Sequence, residues 1–182
     1  VVAADTIVIT SNSPSSVSTF ESFWNYLKPW GSDHNGSARM RGSSTDHSHI
    51  NVASNTLTLI ATPTSNVSPP TSTANPHPAT HYASGAIHAK SQITITKTAG
   101  YTISGEFSAP PLKACGLRFD NGWPPEVDIG EWKGTNNNWF DTFNTSSPVR
   151  SDLVPWLADL PFHSLKAVLK AESNGELLSA HL

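Results

Sequence analysis

Runs of β-branched and aromatic residues recur along this chain at turn-length intervals, and no stretch carries a convincing amphipathic helical period. Thr6–Thr10, Val52–Ala61, Ala83–Lys90, Gln92–Thr96, Tyr101–Phe107, Lys166–Leu169 and Leu177–Leu182 read as strands. The last two flank a turn at Ser173-Asn174-Gly175. Strands in such quick succession predict an all-β fold, an antiparallel sandwich. The aromatic segment from Phe20 to Trp30 reads as a packed loop or a single helical turn that caps a core. Thr62–Pro78, rich in Pro, Ser and Thr, reads as a long exposed loop. With 182 residues the chain is long enough for one domain with a real core, and no repeat or boundary interrupts it. Residues 1–182 are therefore expected to form a single sandwich domain. The pattern stops at Leu182 in mid-strand, which fits either a chain shortened at its C-terminus or a final edge strand.

Charge narrows the function. Only 14% of residues are charged, the net charge is -3, and the 11 Lys and Arg are scattered. No basic patch invites nucleic acid, and no run of 18 apolar residues exists to span a membrane. The Ser- and Thr-rich polar composition suits a secreted protein. So do a start at Val1 and the sequons at Asn35, Asn66 and Asn144. Cys115 is the single cysteine, so no internal disulfide is possible, and it reads as a small buried apolar residue.

The most informative stretch is Trp123-Pro-Pro-Glu126-Val-Asp128-Ile-Gly-Glu131-Trp-Lys-Gly134. On a strand, Glu126 and Asp128 share one face while Val127 and Ile129 point to the other. Glu131 misses the acidic face by one residue unless a β-bulge at Ile129-Gly130 restores the register, and glycine tolerates such a bulge. Acids on a strand are usually a solvated face. Three on one face, flanked by Trp123 and Trp132, instead suggest a use, because clustered like charges cost stability. With the bulge, Glu126 and Glu131 sit roughly 13 Å apart at Cα, on a rise of about 3.3 Å per residue. Glutamates leaning together from there can reach the ~5–5.5 Å between carboxyl groups of a retaining glycosidase.

Glu126-Val-Asp128-Ile-Gly-Glu131 resembles the bulged Glu-x-Asp-x-x-Glu signature of glycoside hydrolase family 16. The segments His81–Lys90, Tyr101–Pro110, Asn35–Met40 and Gly122–Pro125 are similar to flanking parts of that family, so the likeness covers most of Phe20 to Asn144. It implies a β-jelly roll of two curved antiparallel sheets with a cleft on the concave face. It also implies Glu126 as nucleophile, Asp128 as helper and Glu131 as general acid/base, with no cofactor. There are departures. Pro111–Phe119 is shorter than the family's Trp-Pro-Ala-x-Trp segment and lacks its tryptophans, and Leu165 stands where the family has Tyr after Phe-His.

Aromatic rings are natural platforms for sugar faces, and six tryptophans exceed normal usage. Trp123 and Trp139 are the better cleft candidates, and Trp30 could reach the rim. On the segment after the acids, either Asp141 with Phe143 or Thr142 with Asn144 faces the cleft; Asn144 is favoured as a sugar or nucleophile hydrogen-bond donor. His47 and His49, with Asp46 nearby, have no third ligand standing out, so no catalytic metal is expected, while a structural calcium held by loop oxygens stays open. The primary expectation is an endo-acting retaining hydrolase of neutral β-linked polysaccharide. A lectin on the same fold is the alternative, and a lyase fits poorly because an acidic site repels uronic substrates.

Overall fold

The computed structural model describes residues 16–29, 31–33, 37–65, 68–73, 77–92, 100–108, 114–120, 126–133, 135–143, 146–155 and 162–169, with backbone alone at 114–120, 132 and 133. The expected strands at Thr6–Thr10 and Leu177–Leu182, most of Gln92–Thr96 and the turn at Ser173–Gly175 lie outside these residues. The chain divides into two compact units, Thr10–Ile93 and Val1–Ile9 with Thr94–Leu182.

The first unit holds α1 (Val17–Phe23), β1 (Trp24–Tyr26), β2 (Ala38–Arg41), β3 (Ile50–Ala53), β4 (Thr56–Leu59), β5 (Ala61–Pro63), β6 (Tyr82–Gly85) and β7 (Ile87–Ala89). The helix starts earlier than the aromatic pattern suggests, because Ser16 caps it by accepting the Thr19 N–H at 3.3 Å. Its Phe20 is fully buried and lies at 5.2 Å, tilted, from the Tyr26 ring. The backbone turns extended at Trp24, where the helix ends, and β1 pairs antiparallel with β7.

The run from Val52 to Ala61, expected as one strand, contains a hairpin. Ser54 and Asn55 both adopt positive φ, 51° and 58°, so the chain reverses between β3 and β4. Both residues are exposed and polar, which is why the alternation looked continuous across them. Ala83–Lys90 likewise divides at Ala86 into β6 and β7. Strand β6 sits between β5, antiparallel, and β2, the one parallel pairing among the described residues. Gly85 is needed there: a Cβ would stand 2.2 Å from the His49 carbonyl oxygen.

Arg39 on β2 is buried at 3% exposure. Its guanidinium pairs with Asp33 at 2.7 Å and donates to the carbonyls of Pro69 and Thr71 at 3.1 and 3.0 Å. Asp33 in turn accepts the Thr73 N–H at 2.9 Å. The stretch expected as an exposed loop is thus pinned, and Ser72 within it is buried, as is Thr80 just beyond it.

The second unit holds β8 (Tyr101–Phe107), β9 (Ala114–Asp120), β10 (Glu126–Lys133), β11 (Asn137–Phe143), β12 (Pro148–Pro155) and β13 (His163–Leu169). Four strands form a sheet in the order β12-β11-β10-β9, and β13 pairs with β8. All these pairings are antiparallel. On β13, Leu165, Ala167 and Leu169 are buried at alternate positions, opposite Gly105, Ile103 and Tyr101. Leu165 packs with Phe140 and Phe107, and Val127 and Ile129 are each 2% exposed. The shortened Pro111–Phe119 segment supplies the strand beside the acids, since β9 begins at Ala114.

Removing Asp33 leaves the buried Arg39 charge without its ion-pair partner. Asp33→Ala is expected to cost about 3 kcal/mol, read from urea unfolding, whereas a surface pair would cost less than 1 kcal/mol.

Candidate active site

The bulge expected at Ile129-Gly130 is present and is seen from both neighbouring strands. Against β9, Asp128 pairs with Arg118 and Gly130 with Leu117, so Ile129 is the extra residue. Against β11, Glu126 and Val127 pair with Phe143 and Thr142, and the register has slipped by one when Glu131 meets Trp139. Residues opposite each other in an antiparallel pair share a face. Glu126, Glu131, Trp139 and Phe143 therefore lie on one side, with Asp141 at the alternate position between the last two.

Glu126 is 6% exposed, Asp128 8% and Asp141 4%, while Glu131 is half-buried. One carboxylate oxygen each from Asp128, Glu131 and Asp141 fall within 4.8 Å of one another. Trp139 is half-buried and stands directly opposite Glu131. Of the two alternations open in the sequence, the register selects the one that carries Asp141 and Phe143. Trp123, Trp30 and the favoured Asn144 lie outside the described residues.

The sequence names Asp141 only within one of two open alternations, and it does not single out Asn138, which is fully buried on the face of β11 that also carries Phe140. A bulge interrupts the ladder and leaves a backbone donor to satisfy. Asn138 Oδ1 accepts the Glu131 N–H at 2.7 Å, which ties the backbone of that acid to β11. The only sequence signal is that Asn is depleted in strands, and Asn138 is the second residue of β11.

In the first unit, His47 and His49 have hydrogen-bond partners of their own. His47 Nε2 meets the Tyr26 hydroxyl at 2.7 Å, and that hydroxyl also donates to Glu21 at 2.7 Å. Burial, then the hydrogen bond and the charge of Glu21, push the Tyr26 phenol above its ordinary range. His49 is hydrogen-bonded to Ser48 and Thr62. The Ser48 hydroxyl and N–H hold Asp46 below the usual carboxylate range.

An acid-lined, bulged strand thus lies beside a strand that carries an aromatic ring opposite Glu131. No family model matches the chain. It is 63% identical over 165 residues to the galactan endo-β-1,3-galactanase of Flammulina velutipes, covering 88% of this chain and 64% of that protein. The chain thus spans slightly less than two thirds of the length of this curated relative. The crystal structure of the β-porphyranase BpGH16B from the human gut bacterium Bacteroides plebeius aligns with 82% of this chain and 64% of its own, at 14% identity and a TM-score of 0.49. Among the described residues the chain is all-β apart from one short helix.

Replacing Asn138 by Leu removes the acceptor and strands the buried Glu131 N–H. A loss of about 1–3 kcal/mol is expected in chemical denaturation, with faster hydrogen exchange at the Glu131 amide. Exchange unchanged from wild type would show that the bulge is held without Asn138.

Proposed function

We propose that this chain is the core of a secreted, endo-acting, retaining hydrolase of β-linked galactan. One observation carries the reading. The three signature acids lie on a strand whose bulge aligns Glu131 with Glu126, in a chain 63% identical to a galactan endo-β-1,3-galactanase. Glu126 attacks the anomeric carbon, and the bond to the leaving oxygen breaks as Glu131 protonates it. Water then enters, Glu131 takes its proton, and the glycosyl–Glu126 ester is released with retained configuration. Asp128, between the two on the same strand, orients the nucleophile by hydrogen bonding and charge. Trp139, opposite Glu131, offers its ring as a platform for the apolar face of a sugar. A neutral polymer suits this face, because buried carboxylates repel anionic chains.

Release of reducing ends from β-1,3-galactan, with laminarin and lichenan for comparison, tests the reading. Cleavage of the galactan is expected, and Glu131→Gln should lower the rate by about 10²–10⁴-fold. Glu126→Gln should lose turnover while keeping the wild-type unfolding curve. Cleavage of the glucans alone would refute the substrate. Binding of galactan without release would refute the hydrolase and support a lectin on this fold.

A further inference from the structure

Strand β12 lies at the edge of the four-stranded sheet, with β11 on one side and no strand on the other among the described residues. An open edge is a template for a further strand. This one is also apolar. Val149 is 62% exposed, Leu153 49% and Val154 39%, three of the seven large apolar side chains exposed among the described residues. Between Val149 and Leu153 stands one charge of each sign, Arg150 and Asp152, whose side chains are exposed and pair with each other along the strand. The order is close to a palindrome. Val149-Arg150-Ser151-Asp152-Leu153 reads apolar, basic, polar, acidic, apolar about Ser151. A second copy of the strand, run antiparallel with the two Ser151 residues opposite each other, meets Arg150 with Asp152 twice and Val149 with Leu153 twice. Opposite charges and apolar pairs directly across a ladder stabilise it, and like charges there destabilise it. The charges also exclude the neighbouring registers. Centring the pair on residue 150 sets arginine against arginine, and centring it on 152 sets aspartate against aspartate.

We propose that β12 is a self-association edge: two copies of this chain pair antiparallel through β12 about Ser151, with Arg150 of each copy facing Asp152 of the other. The ends of the strand set how far the pairing runs. Pro148 and Pro155 have no N–H to give a ladder, and Val149 is passed over at a bulge against β11. Prolines and bulges blunt an edge against indiscriminate strand addition. What they leave open is a short stretch whose charge order selects a copy of itself. A pair of this kind uses the same patch on both copies, the commonest symmetry among soluble oligomers. It joins two four-stranded sheets into one. Ser151 is opposite Asp141 and Leu153 is opposite Trp139, and opposed residues share a face. Both copies therefore present their acidic faces on the same side of the joined sheet. One strand pair is smaller than a standard protein interface, so the association is reversible and depends on concentration.

Sedimentation equilibrium of the 182-residue chain, across a micromolar concentration series, tests this. A monomer–dimer equilibrium is expected. Arg150→Asp sets aspartate against aspartate, and Asp152→Arg sets arginine against arginine. Each variant alone should raise the dissociation constant by about tenfold or more. Mixed one to one, the two variants should recover the dimer, because every aspartate again faces an arginine. A chain that had merely lost its fold would not be rescued by the mixture. If either variant does not fold, hydrogen exchange on the wild-type chain decides. Amides within 149–154 should exchange more slowly as the concentration rises, while those of the β3–β4 hairpin should not change. A chain that stays monomeric throughout the series overturns the proposal. So does a dimer that both single variants leave intact, or exchange within 149–154 that ignores concentration.

Discussion

One inserted residue governs the chemistry of this chain. Side chains on a strand alternate with a period of two, so Glu131, five positions after Glu126, would face the apolar side beside Val127 and Ile129. The bulge at Ile129 moves it across, and both flanking strands record the slip. Gly130 lets the backbone turn without a side chain to place, and Asn138 accepts the N–H of Glu131. The bulge thus does more than interrupt pairing. It brings Glu131 onto the acidic face that alternation already sets up in the five consecutive buried residues Glu126–Gly130.

Burying carboxylates works against stability, and the surrounding structure compensates locally. Val127 and Ile129, each 2% exposed, contribute about 1.5–3 kcal/mol apiece through burial on the opposite face. Ser151 supplies a donor to Asp141, and the four-stranded ladder holds the acid strand from both edges. A sheet optimised for stability alone would place apolar or neutral residues where Asp128, Glu131 and Asp141 converge. Departures of this kind mark the places where function outweighs local consistency.

Much of this was legible in the sequence because it follows from periodicity. The bulge could be inferred from the spacing of Glu126, Asp128 and Glu131 around a glycine. Strand β8 could be read at its full extent because Tyr101–Phe107 alternates without interruption. What escaped depended on contacts distant in sequence. The hairpin at Ser54-Asn55 needs two residues with positive φ, which polar residues adopt without an unmistakable Asn-Gly signal. The pinning of 69–73 needs Arg39 and Asp33, 30 to 40 positions away. Asp141 and Asn138 acquire their roles from the register between β10 and β11. A shift of one residue would exchange them between faces, and pattern alone left both alternations open.

That dependence makes β11 the strand on which both halves of the site meet. Asn138 and Phe140 point one way, fixing the acid's backbone and filling the core against Leu165. Trp139 and Asp141 lie the other way, beside Glu131. Any shift of β11 that loosened Phe140 in the core would move Trp139 and Asp141 relative to the acids by the same amount, because a strand translates as a unit. In the proposed hydrolase, glycoside cleavage constrains Glu126 and Glu131 tightly, whatever the sugar. Residues that adapt such a site to its polymer then lie on the neighbouring strands, and Trp139, opposite Glu131, is the described residue best placed to do so.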